Sequence, residues 1–164
     1  MRQQKLKNRS SAPPLLRELP VDRLKEVLAG HRVWLDSNGE RGEQADLSHA
    51  QLQALSLWSA DLREANLSYA GLQGANLDHA RLRGANLQHA QMEGASLWQA
   101  NLRGADLGFA GLRGAKLDHA DLSGANLHHT DFAGASLWGA RLSEARLKDA
   151  VGLTGEQLEN AHLA

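Results

Sequence analysis

The 164-residue sequence contains no cysteine. This excludes a disulfide framework, a thiolate nucleophile and thiolate metal ligands, and it suits a reducing compartment, so the cytoplasm is the expected location. Aromatic residues make up only 4% and there are 3 prolines. The 42% hydrophobic content is mostly Leu and Ala, so any core must be narrow and uniform. No apolar run approaches the roughly eighteen residues of a membrane span, and none of signal-peptide length follows the basic start MRQQKLKNRSSAPPLL. No charge sign dominates either: 18 Lys and Arg stand against 19 Asp and Glu. The imbalance is local, +4 over residues 1–42, −3 over 43–149 and −2 over 150–164, too little to argue for a nucleic-acid or membrane partner.

What the sequence does have is a clock. Leucine occupies every fifth position from 47 to 147, with Met92 and Phe132 as the only replacements among 21 repeats. On a helix, five residues advance about 500°, so the leucines would smear around the axis. On a strand, an odd period sends them to alternate faces. Only a chain that turns a corner in every repeat can point all of them inward, Leu67, Leu87, Leu97, Leu107 and Leu127 among them. The residue two before each leucine is Ala in 19 of 21 repeats, the exceptions being Leu55 and Thr130, as a crowded interior requires. Glycine recurs at every tenth residue from 74 to 134. A corner with φ > 0 favours glycine, so alternate corners are expected to use different turn types.

A longer rhythm gives the lap length. SLW occurs at 56–58, 96–98 and 136–138, and residues 56–95 match 96–135 at 25 of 40 positions. Forty residues are eight repeats, so laps of four repeats place residues twenty apart above one another. Units such as ANLRG, ADLGF and ANLDH resemble the pentapeptide repeat family over about residues 45–150. The resemblance implies an all-β solenoid, a right-handed quadrilateral β-helix of about five coils. With coils stacked at roughly 4.8 Å, the rod would be about 25 Å long.

The ends read as caps against edge pairing. Residues 1–19 form a basic tail expected to be disordered, and 20–42 a capping helix and linker with Leu24, Val27, Leu28, His31, Trp34 and Leu35 on one face. The lead-in LKEVLAGHRVWLDSNGERGEQADLSHA is similar to that of many bacterial family members. Residues 43–150 carry the repeats. In 151–164, Thr154 and Gln157 stand at capping-box spacing, predicting a short helix at this end too.

No catalytic residue, cofactor or metal site is assigned. Successive histidines of the column His49, Tyr69, His89, Phe109, His129 would lie about 10 Å apart, beyond one ligand sphere, and their rings are expected to stack instead. His79 and His119 share that spacing, and nothing beside His128 and His129 completes a site. Asp46, Asn66, Asn86, Asp106 and Asn126 are expected to form a side-chain ladder. The candidate partner-binding residues are Trp58, Trp98 and Trp138, which should point outward with Asp78 and Asp118 between them, and Arg63, Arg83 and Arg103 on the next face. Exposed tryptophan and arginine are typical of binding hot spots.

Three functions follow as expectations. The first is a non-enzymatic scaffold presenting a rigid β-helix surface to an unidentified protein partner. The second is a DNA-mimic modulator of a type II topoisomerase such as DNA gyrase, which the resemblance implies for some members. A 25 Å mimic would need on the order of fifteen negative charges, so the local −3 disfavours it. The third is a passive structural or stress-related protein, or a small-ligand binder.

Overall fold

The computed structural model describes residues 17–163. The elements, in chain order, are a short strand β1 (Arg17–Glu18), a helix α1 (Val21–Asp36), a short strand β2 (Ala50–Gln51) and a helix α2 (Gly155–Glu159). β1 and β2 pair in parallel, Arg17 opposite Ala50. The expectation of an all-β solenoid, a right-handed β-helix with strand-built walls, is corrected here. Among the described residues the only sheet is this two-residue pairing, and from residue 46 to 151 the chain alternates turns with single-residue bridges. The physical reason lies in the period. Each repeat spends two of its five residues on a turn, which leaves too few consecutive extended residues for a strand.

The turns follow one rule. The carbonyl of each central residue accepts the N–H three residues on, as Leu67 does from Ala70 at 3.1 Å. The third turn residue has φ between 53° and 68° in all 21 repeats, whether it is Gly74 and Gly84 or Tyr69, His79 and His89. Positive φ at that place is the type II signature. The expected alternation of turn types is therefore also corrected: glycine marks only eight of the 21 corners, but every corner has the same left-handed residue.

Four such turns bring the chain back beside itself. Parallel bridges join residues twenty apart throughout, such as Asn66↔Asn86 and Asn86↔Asp106. All five N–H groups of a repeat can be traced. In the repeat centred on Leu87, Ala85 donates to Leu82 O at 3.0 Å within the turn, and Asn86 donates back to Ala65 O at 2.9 Å. Leu87 and His89 donate forward to Asp106 O and Gly108 O at 2.7 and 3.0 Å. The fifth, on Gln88, goes to the Asn86 side chain at 3.1 Å. That last bond explains why Asn or Asp so often precedes the leucine: its Oδ1 satisfies a donor that no neighbouring turn can reach.

The interior is apolar and fully buried. Leu67, Leu87, Leu97, Leu107 and Leu127 are fully buried, as are Phe132 and the intervening alanines near them. Thr130 replaces an alanine beside Phe132, and its hydroxyl donates to Leu107 O at 2.8 Å, which satisfies it inside the coil. Leu55, the other exception, is half-buried against the core.

Helix α1 lies over the first coil through Leu24 and His31, both buried, with Val27 and Leu28 packed beside them. His31 Nδ1 accepts the Ala45 N–H at 3.1 Å. At the other end Thr154 caps α2: its Oγ1 accepts from Gln157 N at 3.2 Å while its own N–H donates to Gln157 Oε1 at 2.7 Å. Gln157 Nε2 also reaches Ala135 O at 2.6 Å, tying α2 to the coil.

The two functions read from a β-helix wall are corrected with it. Neither a scaffold presenting a rigid β-helix surface nor a DNA mimic modulating a topoisomerase has that surface, because the described residues form no extended sheet to carry it.

Truncating Leu97 to Ala should cost about 2–5 kcal/mol, because the turns on either side limit collapse into the space left. Urea unfolding measures this, and an unchanged midpoint would contradict the interior assignment. Acid should also loosen α1. Burial lowers the pKa of His31, and its Nδ1 is an acceptor only when unprotonated. The unfolded chain takes up the proton below the ordinary histidine value of about 6.5, while the folded chain resists it until a lower pH. Stability is therefore retained above that value and lost as pH falls below it. Denaturation at about pH 7.5 and about pH 5.5 should show a smaller loss for His31→Gln than for the parent chain.

Candidate functional site

The tryptophans share one column. The bridges Ser56↔Asn76, Asn76↔Ser96, Ser96↔Lys116 and Lys116↔Ser136 run through it. The side chains that follow are therefore stacked in the order Trp58, Asp78, Trp98, Asp118, Trp138. All three indoles are exposed, at 61%, 41% and 59%. Such residues are costly to leave in water, and nothing among the described residues covers them.

Each indole is oriented by its surroundings. The His79 ring meets Trp98 edge-on, at a centroid distance of 4.8 Å and an angle of 83°. His119 does the same to Trp138 at 4.7 Å and 79°. Trp58 touches His79 at 6.0 Å. The two aspartates between the rings bond to the coil that follows. Asp78 Oδ1 accepts the Ser96 hydroxyl at 2.5 Å and the Trp98 backbone N–H at 3.0 Å; Asp118 Oδ1 accepts the Ser136 hydroxyl. Gly139 lies close against this seat. A Cβ there would lie 2.7 Å from His119 Nδ1, on a residue with φ of 66°.

The arginines divide into two kinds. Arg63 grips Asp61 with both Nε and a terminal nitrogen, each at 2.8 Å, and Arg81 adds a contact to the same carboxylate at 3.2 Å. Partial burial pushes the Asp61 carboxyl up, but the Arg63 and Arg81 charges outweigh it and hold its pKa below the usual carboxylate value. Arg63 is thus committed to its own wall. Arg83 and Arg103 instead line an open depression of about 400 Å³ with Ser123, Arg141, Ser143 and Glu144. The structure therefore gathers the Trp and Asp candidates into one row but places the arginines on another wall, with Arg63 already paired.

The neighbouring aromatic column is a continuous stack. His49, Tyr69, His89, Phe109 and His129 lie with centroids 4.9, 4.6, 4.9 and 4.6 Å apart and planes within 14°. These are ordinary coil-to-coil contacts. Asn66 donates to Asp46 at 3.1 Å and Asn126 to Asp106 at 2.7 Å. The ladder is interrupted where Gln88 reaches Asp106 Oδ2 at 2.6 Å. Asp46, Asp106, Asp121 and Asp131 each accept the N–H two residues on. The acids are thus spent on turns rather than set out as a strip of negative charge. The orienting roles of His79 and His119 were missed from sequence, where only their spacing as metal ligands was weighed. The SLW echo was the available signal, since a histidine stands one lap from each repeated tryptophan. Among the described residues no group of three or more His, Asp and Glu could hold a metal ion, and no helix is long and apolar enough to cross a membrane.

A turn-built coil with a five-residue clock defines a class of repeat proteins. The chain belongs to the pentapeptide repeat family: the family model matches eight copies over residues 45–84, 80–117 and 110–149. No curated protein matches it. Among solved structures it is similar to HetL, a pentapeptide repeat protein involved in heterocyst differentiation regulation in Nostoc sp. strain PCC 7120. That similarity is 32% identity over 74% of this chain, with a TM-score of 0.48. The match spans 60% of HetL. Rfr23 of Cyanothece 51142 is also 32% identical, over 69% of this chain and 67% of its own, with a TM-score of 0.39. A pentapeptide repeat protein of the Arabidopsis thaliana thylakoid lumen is 29% identical over 68% and 70%, with a TM-score of 0.39.

Gly139→Ala should displace His119 and, through it, Trp138. Tryptophan emission reports this: a shift relative to the parent chain is expected, and an identical spectrum at unchanged stability would show that His119 does not hold the indole.

Proposed function

We propose that the tryptophan column is a contact site for a protein partner, and that the encounter takes place in the cytoplasm. One observation carries the reading: three large apolar rings stand outward in one column, each edge-on to a histidine, at 61%, 41% and 59% exposure. The rings of the His49 to His129 column stack face to face on one another, whereas the indoles are separated by a coil that carries an aspartate and leave their faces without such a neighbour. Pre-oriented rings lose little conformational freedom on docking, which leaves more of the burial energy as affinity. The absence of cysteine supports a reducing compartment. Arg83 and Arg103, on a different wall, are outside this contact, and Arg63 is engaged by Asp61.

The test is a partner first captured with the parent chain, then purified and titrated against both proteins. Changing Trp58, Trp98 and Trp138 together to Ser should weaken binding at least about a hundredfold, since each anchor truncated in a contact centre costs about 1–2 kcal/mol or more. Equal affinity for the two proteins would refute the assignment.

A further inference from the structure

The column is periodic, and its period restricts what can lie along it. Successive tryptophans are two coils apart, as the bridges Ser56↔Asn76↔Ser96 and Ser96↔Lys116↔Ser136 establish. Each bridge is one interstrand step of about 4.8 Å, so the indoles recur every ~9.6 Å. An elongated partner that uses all three must bring a side chain to the same side at that interval.

Regular backbones differ in how well they can do so. An extended strand returns to one side every two residues, at about 6.7 Å and then about 13.4 Å, and misses the spacing both times. An α-helix returns after seven residues at about 10.5 Å, an error of about 0.9 Å at each step. A polyproline II helix has three residues per turn and rises about 3.1 Å per residue, so every third residue faces the same way at ~9.3 Å. Its error is about 0.3 Å per step, small enough for side-chain adjustment over three contacts.

The chemistry between the rings agrees with the spacing. Along the column Asp78 stands one coil from both Trp58 and Trp98, and Asp118 one coil from both Trp98 and Trp138. In each aspartate Oδ1 is engaged by a serine hydroxyl, which fixes the carboxylate in the row. An exposed indole with a carboxylate one coil away suits a flat, φ-locked proline ring against the indole and a cationic side chain next to it.

Resting on the reading of the tryptophan column as a partner-binding site, we propose that the partner segment is a proline-rich stretch in polyproline II conformation with a basic residue at every third position. Its prolines lie against Trp58, Trp98 and Trp138, and its cations meet Asp78 and Asp118. The chain is held by the match between two coils of the protein and one turn of the ligand.

The probe is a fluorescein-labelled nonapeptide, Pro-Pro-Arg repeated three times, titrated against the full chain by fluorescence polarisation and by tryptophan emission. Saturable binding is expected, weakened at least about tenfold by Trp98→Ser and by the double change Asp78→Asn with Asp118→Asn. The Asn variants keep an acceptor for the serine hydroxyls and so separate charge from folding. A peptide of the same composition with arginine at every fourth position should also bind at least about tenfold more weakly. No binding of the three-residue repeat, or equal binding of both spacings, would overturn the proposal. Equal binding by the parent and the Trp98→Ser chain would do the same. The two readings fail separately. If the captured partner still requires the tryptophans but is not displaced by the nonapeptide, only the polyproline assignment falls; if the partner binds the triple Ser variant unchanged, the site itself falls.

Discussion

The structure depends on a left-handed residue at every fifth position. With φ held between 53° and 68° at each of these corners, the chain bends by the same amount four times per lap and returns in register. That residue is a glycine in some repeats and a histidine, tyrosine, glutamate or glutamine in others. A non-glycine residue there costs about 1 kcal/mol of local strain. The cost is met by what the corner makes possible: a backbone in which turn, neighbouring coils and an Asx side chain accept all five N–H groups, around an axis of buried leucine and alanine.

This accounting separates what the residues disclose from what they conceal. The five-residue clock, the inward leucines and the lap of four repeats were legible because they are matters of counting: a period of five fits neither helix nor strand. The glycines misled. Their ten-residue rhythm suggests two kinds of corner, but it reflects only where the chain avoids strain. His49 and Tyr69 adopt the same geometry, as do Ala54, Ser59 and Glu64. The extent of regular strand could not be read either. A repeat that bends after every few residues forms bridges and not walls, and a resemblance between repeat sequences does not reveal how many consecutive residues are extended.

The candidate site was half legible for a related reason. Column membership follows from arithmetic, so Trp58, Asp78, Trp98, Asp118 and Trp138 could be aligned before any geometry was known. Orientation and pairing could not. Whether an arginine is available depends on whether a carboxylate two residues away, like Asp61 beside Arg63, has already taken it. Likewise His79 and His119 look like isolated imidazoles in sequence, yet each becomes a wedge against an indole once the coils are stacked at one interstrand spacing. The two aspartates changed meaning in the same way, from exposed charges to acceptors for a serine hydroxyl on the next coil.

Function on such a coil resides in a column rather than in a pocket, because every inward position is filled and every turn is used. The most direct test of this account is amide hydrogen exchange followed by residue across 60–140. Amides at each central residue, at the residue before it and at the positive-φ corner should exchange together and slowly, since each donates to a neighbouring coil. The amide just after the centre, held only by an Asx side chain, should be less protected. Slow exchange confined to α1 and α2, with no five-residue pattern between them, would contradict it.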